Sequence, residues 1–425
     1  MDMLSCHLER GSETPLYEQL YEYIKIEIME GRIAYGTKLP SKRKLAEYLS
    51  ISQNTVEQAY DQLVAEGYIE AKPRRGYFVL ASEDLEYVQP TRDISKSTKQ
   101  KEKYRYDFHP GRIDTEHFPF EKWRKYSRNI ITKENQSLLL LGNPQGEYEL
   151  REEIAKYIYY ARGVHCSPDE IILGAGIETL LHQLILLMGS KTTYGVEDPG
   201  YHVISYLLKH YPNDVCLLEV DDRGIKVDKL EKTPVDIVYV TPSRQFLYAF
   251  GSVLSANRRI KLLKWAAAKE NRYIIEDDYD SEFRYIGKSI PSLQSMDQSE
   301  KVIYFGTFSK SLIPSIRISY MVLPKHLMNH HQKTLSYFQC SVSRIDQHIL
   351  AQFMREGDFE RHLNRMRNVY RRKMNTTLEV LKKYDHFIEV IGDLSGFHVV
   401  LKVNGGLTEE ELIKRAQRAN LKVYP

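Results

Sequence analysis

From Asp107 onward, apolar runs of strand length alternate with segments whose apolar residues recur at helical spacing. The stretch "IILGAGIETLLHQLILLM" shows the pattern in one piece, as a strand, a glycine turn and a helix. Such alternation predicts an α/β domain with a largely parallel sheet, because helical crossovers join parallel strands. A chain of 425 residues is also longer than a single hydrophobic core usually supports, so we expect two or more domains.

Composition divides the chain into three parts. Residues 1–80 are dense in short helix signals, and residues 107–425 carry the α/β pattern. Between them, residues 81–106, "ASEDLEYVQPTRDISKSTKQKEKYRY", are polar and charged. A segment of that composition cannot bury a core, so it is predicted to be a linker.

The apolar content of the sequence and its cysteine pattern disfavour several classes of protein. No window approaches the roughly 20 apolar residues of a membrane span, and "MDMLSCHLERGSE" lacks the apolar core of a signal peptide. The four cysteines are far apart and show no metal-ligand spacing. We therefore expect a cytoplasmic protein with reduced thiols, no membrane partner and no metal site; His109 and His117 are interpreted as structural.

The first 80 residues predict a helix-turn-helix followed by a hairpin. Thr14 before Pro15 predicts a helix start, Ser41 and Ser52 can cap two further helices, and Gly67 ends the last of them. The runs "YIEA" and "GYFVL", joined by the basic tip "KPRRG", then predict two short strands. This order is the winged helix-turn-helix plan.

The polar residues of this segment suit duplex DNA. Residues at the front of the second helix can reach base edges, while basic residues at the first helix and the hairpin tip can bind phosphates or enter the minor groove. The alternative is that these side chains are merely solvated. The candidate DNA-binding residues are Ser41, Lys42, Arg43, Gln53, Asn54, Thr55, Arg74 and Arg75.

A single lysine marks the candidate site of the large domain. Lys310 follows the strand-like run "KVIYFGTFS", at a strand end where α/β proteins gather ligand groups. A desolvated amine is a nucleophile suited to a carbonyl, and the neighbouring Thr307, Ser309 and Arg317 suit a phosphate. Pyridoxal phosphate (PLP) combines both groups, although a solvated surface lysine is the simpler alternative.

Other segments could complete such a site. In "RYIIEDDYDSEF" a carboxylate at a strand end can pair with the pyridine nitrogen, and a tyrosine two residues later can bond the phenolic oxygen. The glycine turn of "GAGIETLL" can present backbone N–H groups to a phosphate. Tyr201, after a Pro-Gly turn, could stack on the ring.

Taken in order, these segments resemble known families. "PSKRKLAEYL", "NTVEQAYDQLVAEGYI" and "RRGYFV" resemble the GntR-type winged helix domain, while "NPQGEYELREEIAKY", "EDPGY", "YIIEDDYDSEFRY" and "GTFSKSLIPSIRISYMVLP" resemble the fold-type I aminotransferases. Together they resemble the MocR/GabR regulators. The resemblance implies an internal aldimine on Lys310, Asp277 at the pyridine nitrogen, Tyr279 at the phenolic oxygen and Tyr201 stacking. It places the phosphate against the following residues: Gly176, Ile177, Glu178, Thr307, Ser309 and Arg317.

Three features depart from the family pattern. The loop "TPSRQFLYAFGS" has Arg244 where histidine is usual, with an apparent short insertion. Val203 stands where an arginine can bind a ligand carboxylate, which predicts a different effector. The chain stops at "LIKRAQRANLKVYP", so we expect an incomplete C-terminal small domain that lacks its carboxylate-binding arginine, either naturally or by truncation.

The resemblance implies a regulator that binds operator DNA as a homodimer and senses an amine or amino acid, which displaces Lys310 as the aldimine partner. Such an effector acts only by fitting one arrangement of the domains better than another. Two alternatives are an active aminotransferase with a DNA-binding appendage and a DNA-binding protein whose large domain holds no cofactor. Turnover with an amino acid and a keto acid would identify the first.

Overall fold

The computed structural model divides the chain into two compact units, residues 1–101 and residues 102–425. The structure describes residues 6, 8–12, 14–80, 104–245, 253–285, 289–392 and 396–424. Most of the predicted linker, residues 81–103, and most of the predicted loop insertion, residues 246–252, therefore lie outside the described residues.

The first unit has the predicted order of three helices and a hairpin. Its elements are α1 (Leu16–Met29), α2 (Lys42–Leu49), α3 (Gln53–Ala65), β1 (Ile69–Lys72) and β2 (Gly76–Val79). The hydroxyls of Ser41 and Ser52 cap α2 and α3 by accepting hydrogen bonds from Lys44 N at 3.3 Å and Thr55 N at 3.1 Å. The start of α1 differs from the prediction, because Pro15 itself is the N-cap and no side chain caps that end.

Apolar faces of these helices form one core. Leu20 and Ile24 of α1 meet Val56 and Leu63 of α3, and all four are fully buried. The hairpin closes this core with Val79, in a register that pairs Ile69 with Val79 and Lys72 with Gly76.

A mixed sheet forms the centre of the second unit. In chain order its strands in the described residues are β4 (Ile171–Gly174), β5 (Tyr194–Asp198), β6 (Val215–Asp221), β7 (Gly224–Ile225), β8 (Ile237–Val240), β9 (Tyr273–Asp278), β10 (Val302–Thr307) and β11 (Ser319–Val322). Their spatial order is β4-β11-β10-β9-β8-β5-β6-β7. Strands β10, β9, β8, β5 and β6 are parallel, as expected, whereas β11 and β7 run antiparallel to their neighbours.

Helices cover the sheet and bury its apolar side chains. They are α4 (Phe120–Ile130), α5 (Tyr148–Arg162), α6 (Ile177–Met188), α7 (His202–Leu208), α8 (Ala256–Ala267), α9 (Phe308–Ser311), α10 (Lys325–Thr334), α11 (Arg344–Arg355) and α12 (Asp358–Leu381). No helix in the parts of the chain that the structure describes combines the length and apolar character that a bilayer span requires.

Residues beyond α12 form a small region of their own. Its elements are β12 (Ile388–Ile391), β13 (Val400–Val403), α13 (Glu409–Arg418) and β14 (Leu421–Lys422). Strand β14 pairs in parallel with β3 (Tyr106–Asp107), so that Leu421 lies opposite Tyr106. Residues 104–106, which composition assigns to the linker, thus lie in the second unit because this pairing orders them.

Candidate functional site

The carboxyl ends of β8, β9 and β10 meet at one edge of the sheet, where open α/β sheets bind ligands. In the register of β9 and β10, Asp277 lies opposite Phe305 and Asp278 opposite Gly306. Helix α9 follows β10 at once and carries Lys310. The strand order therefore brings the predicted carboxylate and the predicted amine to neighbouring strand ends.

Asp277 is buried, with only 3% of its surface exposed. Its Oδ2 accepts a hydrogen bond from the Tyr239 hydroxyl at 2.5 Å, and its buried Oδ1 has no hydrogen-bond partner among the residues that the structure describes. Burial raises the pKa of this carboxyl to about 7, while the Tyr239 hydrogen bond opposes the rise. A buried acceptor atom without a donor is suited to a ligand group that carries a proton.

Lys310 has the environment of a nucleophilic amine. Its Nζ donates a hydrogen bond to the carbonyl oxygen of Pro110 at 2.5 Å and lies 5.7 Å from the centre of the Phe397 ring. Burial lowers the pKa of Lys310, an effect that the charge of Asp280 opposes and that of Arg244 reinforces. A lowered pKa increases the fraction of neutral amine, the form that attacks carbonyl carbons.

A second group of residues surrounds the N-terminus of α6. Gly176 is the N-cap with a φ of +109°, and a Cβ there would lie 2.0 Å from Nη2 of Arg317. That nitrogen donates to Oε2 of Glu178 at 2.9 Å and to the Ala175 carbonyl oxygen at 3.4 Å. The glycine therefore makes room for a guanidinium directly beside the amides of a helix N-terminus, an arrangement that suits an anion.

The hydroxyl residues before Lys310 also have defined places. Thr307 is 9% exposed, and its Oγ1 accepts hydrogen bonds from Ser309 N at 3.1 Å and from the Ser319 hydroxyl at 2.9 Å. Ser309 is half-buried in α9. Thr307 thus caps the short helix that presents Lys310, a structural contribution in addition to the predicted phosphate contact.

The two predicted tyrosines lie near the same strand ends. The Tyr279 hydroxyl donates to the carbonyl oxygen of Arg244 at 3.3 Å. Tyr201 is half-buried, and burial raises its pKa, with smaller contributions from Glu178 and Asp277. The structure therefore groups both tyrosines with Asp277, although it assigns neither a ligand contact.

An ion pair that the sequence did not reveal lies beside these residues. Arg244 and Asp280 pair at 2.7 Å with side chains 4% and 2% exposed, and Arg244 also donates to His398 O at 2.7 Å. Gly396 has a φ of +77°, and a Cβ there would overlap the Arg244 guanidinium. Arg244 therefore ties the loop after β9 to residues 396–398, and its charge is already balanced.

Buried polar contacts hold the end of β9 in place. Oδ2 of Asp278 accepts from Arg162 Nε at 2.6 Å and from the Tyr304 hydroxyl at 2.5 Å. The Glu276 carboxylate accepts from the amides of Leu293 and Gln294. The carboxylates of Glu276 and Asp278 are thus held by the surrounding protein, Asp278 through its ion pair with Arg162. Among the described residues, the buried Oδ1 atoms of Asp277 and Asp278 both lack a hydrogen-bond partner.

One cluster in the described residues has the composition of a metal site, although the sequence predicts none. Ligand atoms of Glu147, Glu149 and His348 lie within 4.8 Å of one another. Both carboxylate oxygens of Glu147 already accept from Arg344, at 2.9 and 3.0 Å, and one also faces His348 Nε2 at 3.0 Å. Ion pairing accounts for this cluster without a metal.

The predicted DNA-binding residues lie on the surface of the first unit. Gln53 and Asn54 are exposed at the start of α3, while the Thr55 hydroxyl lies 2.8 Å from that of Ser52. Arg74 and Arg75 are exposed at the hairpin tip, with Arg74 at a φ of +62°.

The basic residues at α2 have acidic partners. Lys42 pairs with Glu57 of α3, and Arg43, 82% exposed, pairs with Glu47 at 3.0 Å. The Lys42 pair joins the two helices of the helix-turn-helix. The Arg43 pair is a solvent-exposed contact that a phosphate could replace.

The fold and the grouped residues define a winged helix unit joined to a unit of the fold-type I aminotransferase class. The family described as bacterial regulatory proteins, gntR family, matches residues 16–79, and aminotransferase class I and II matches residues 110–424. The HTH-type transcriptional regulator YdeL of Bacillus subtilis is 44% identical over 98% of this chain and 90% of its own length. The chain belongs to the MocR/GabR-type family of HTH-type transcriptional regulators.

Two further similarities agree with this assignment. A probable rhizopine catabolism regulatory protein, MocR, of Rhizobium meliloti is 29% identical over 98% of this chain and 88% of its own. The solved α-aminoadipate aminotransferase of Thermus thermophilus, complexed with N-(5'-phosphopyridoxyl)-L-leucine, has a TM-score of 0.64 at 22% identity and covers 75% of this chain and 82% of its own. At that identity the second similarity concerns the fold alone.

Proposed function

We propose that this regulator binds operator DNA through its first unit and PLP in its second, where an amine or amino acid competes with Lys310 for the cofactor. The observation that carries the proposal is the buried Oδ1 of Asp277, which has no hydrogen-bond partner within the described part of the chain and lies near the strand end that leads to Lys310. A protonated pyridine nitrogen is the donor that such an oxygen lacks. The match of residues 110–424 to aminotransferase class I and II supports the choice of cofactor.

The described residues fit the parts of PLP. Asp277 would hold the ring nitrogen, Tyr279 the phenolic oxygen, and Tyr201 would pack on the ring. Gly176, Ile177 and Glu178 offer backbone amides to the phosphate, with Arg317, Thr307 and Ser309 beside them. When bound, the cofactor supplies an electrophilic aldehyde carbon, and Lys310 is the amine that bonds to it.

The contact between Lys310 and Pro110 supports a role in sensing. An effector amine that takes the place of Lys310 releases its side chain. The Pro110 carbonyl, 2.5 Å from Nζ, is a hydrogen-bond acceptor available to the released amine. Such a partner stabilises the displaced lysine and so favours exchange.

A covalent test addresses the cofactor and Lys310 together. Protein incubated with PLP should show an absorbance band, and borohydride reduction followed by peptide mapping should place the modification on Lys310. Lys310→Ala should abolish both signals, while Lys325→Ala, an exposed lysine of α10, is the matched control. Modification elsewhere, or an unchanged band in Lys310→Ala, would contradict the proposal.

We extend the proposal to a homodimer. Leu139, Leu140 and Leu141 are consecutive and 78%, 70% and 81% exposed, an apolar surface that a second copy could cover. Two-fold symmetric operators also suit a dimeric reader. Leu140→Asp should shift the mass measured by light scattering toward that of a monomer, whereas a monomeric wild-type protein would refute this extension.

A further inference from the structure

The carboxylate of Glu178 forms an ion pair with the guanidinium of Arg317. Their contact is 2.9 Å, and the two side chains are 46% and 49% exposed. Both groups lie against Gly176, since a Cβ there would lie 2.6 Å from Oε2 of Glu178 and 2.0 Å from Nη2 of Arg317. The carboxylate therefore lies where the amides of α6 and the arginine converge.

Resting on the proposed function, we infer that Glu178 is an internal competitor for the cofactor phosphate. Its backbone amide belongs to the phosphate-binding helix turn, but its carboxylate uses the same two attractions that a phosphate needs. One is the positive end of α6, because Glu178 stands in the first turn of that helix. The other is the charge of Arg317.

Phosphate binding then requires the Glu178 side chain to turn away from Arg317. The Glu178 side chain is 46% exposed, which leaves room for another side-chain rotamer. After that movement the phosphate and the Glu178 carboxylate both remain near the Arg317 guanidinium. These two negatively charged groups therefore repel each other. The inference is that Glu178 weakens binding of phosphate-bearing ligands selectively and leaves binding of the aldehyde and ring unaffected.

Glu178→Gln tests this selectivity because glutamine keeps the size and removes the charge. PLP and pyridoxal, which lacks the phosphate, are titrated against the full-length protein and followed by absorbance. The variant should bind PLP about tenfold more tightly than wild type, the size of effect that removal of one nearby like charge produces. Its affinity for pyridoxal should stay unchanged.

Two further variants control for charge and side-chain size. Glu379→Gln, on an exposed position of α12, makes the same change in net charge away from the site and should leave the affinity for PLP unaltered. Glu178→Ala, like Glu178→Gln, should bind PLP more tightly than wild type. The test therefore remains valid if one of the two variants folds poorly.

The outcomes separate this inference from the proposed function. Equal PLP affinity in wild type and Glu178→Gln overturns the competitor role alone, as does an equal gain for PLP and pyridoxal. Absence of PLP binding by every protein overturns both. A gain in affinity confined to PLP, with no change for pyridoxal, supports the inference.

Discussion

The Tyr239 hydroxyl donates a hydrogen bond of 2.5 Å to Oδ2 of Asp277, and Oδ1 of the same carboxylate has no hydrogen-bond partner in the parts of the chain that the structure describes. The two residues lie on the neighbouring strands β8 and β9. Tyr239 therefore holds one oxygen of the carboxylate, and in the proposed function the other oxygen receives the ligand. It also favours the charged form of Asp277, since its hydrogen bond lowers a pKa that burial raises to about 7.

Tyr239→Phe is expected to weaken PLP binding. Without the hydroxyl, the pKa of Asp277 rises further, and a protonated Asp277 no longer offers a negative charge to a pyridinium. The loss of a hydrogen bond to a buried charged group corresponds to about 1–3 kcal/mol. Titration by absorbance should show a larger loss of PLP affinity at about pH 6.5 than at about pH 8.5, because Asp277 is ionised more completely at the higher pH.

The matched control is Tyr194→Phe. Tyr194 is a fully buried tyrosine of β5, and no described residue forms a hydrogen bond with its hydroxyl. This substitution removes the same atom from the same sheet and should leave PLP affinity unchanged. Identical behaviour of the two variants would show that the Tyr239 hydroxyl does not act through Asp277.

Sequence reasoning located Asp277 and Lys310 because each follows a recognisable strand. The apolar runs before them predict strand ends, and parallel strands place such ends along one edge. Tyr239 was missed, since its contact with Asp277 depends on β8 lying beside β9, and that strand order is not encoded in local spacing. The Glu178 carboxylate was missed for a similar reason: its partner, Arg317, is distant in the chain.

Pairings between remote segments were equally inaccessible. Strands β3 and β14 contain two residues each, too few for the alternating pattern that identifies a strand. Composition therefore assigns Tyr106 to the linker. Arg162 and Asp278 form a buried pair across 116 positions, and although Asp278 stands in the "YIIEDDYDSEFRY" segment, nothing in local spacing identifies Arg162 as its partner. Arg244 was recognised as a departure from the family pattern, but only the fold shows that Asp280 neutralises it.

Arg244→Met is expected to destabilise the second unit. It leaves Asp280 buried without its partner, and breaking a buried pair in this way costs about 3–5 kcal/mol. The double variant Arg244→Met/Asp280→Asn should recover part of the loss, because the second change removes the unpaired charge. Urea unfolding followed by tryptophan fluorescence measures this unit alone, since Trp123 and Trp265 both lie in it.

Lys402→Met provides the comparison for Arg244→Met. Lys402 pairs with Glu389 at 3.0 Å, but their side chains are 63% and 53% exposed. Solvent screens such a pair, so its loss should change the unfolding midpoint little. A shift as large as that of Arg244→Met would mean that burial of the Arg244–Asp280 pair has no special importance.

Glu282 should make stability depend on pH. One carboxylate oxygen accepts a hydrogen bond from the Tyr157 hydroxyl at 3.0 Å, and the other is buried with no hydrogen-bond partner in the described ranges of the chain. Burial raises the pKa of Glu282 from 4.5 to about 7. Between these values the folded protein holds a proton that the unfolded chain has lost, so this contribution to stability decreases as the pH rises and is absent above about pH 7.

Glu282→Gln cannot titrate and should remove this contribution. The free energy of unfolding of the variant should fall less than that of wild type between about pH 5 and pH 8, and at about pH 8 the variant should be the more stable protein. Urea midpoints across this range measure both effects. Parallel pH profiles would show that Glu282 is not protonated in the folded protein; Glu379→Gln controls for the change in net charge.

Arg43 and Asn54 are expected to affect DNA binding in different ways. Arg43→Ala removes a proposed phosphate contact, so the slope of log K against log salt should become shallower by about 0.9. Asn54→Ala removes a proposed contact with base edges, and should lower affinity for the operator without changing that slope. Duplexes from the DNA upstream of its own coding sequence, tested at several salt concentrations, separate the two effects.

Arg32→Ala is the control for loss of one positive charge from the first unit. Arg32 is 52% exposed, follows α1, and pairs with Glu27 and Glu30 rather than lying with the proposed DNA-binding residues. If Arg32→Ala changed the salt slope as much as Arg43→Ala, the effect would come from net charge and not from a phosphate contact at α2. A change confined to Arg43→Ala places α2 against the DNA backbone, because counterion release counts the phosphates neutralised at the contact.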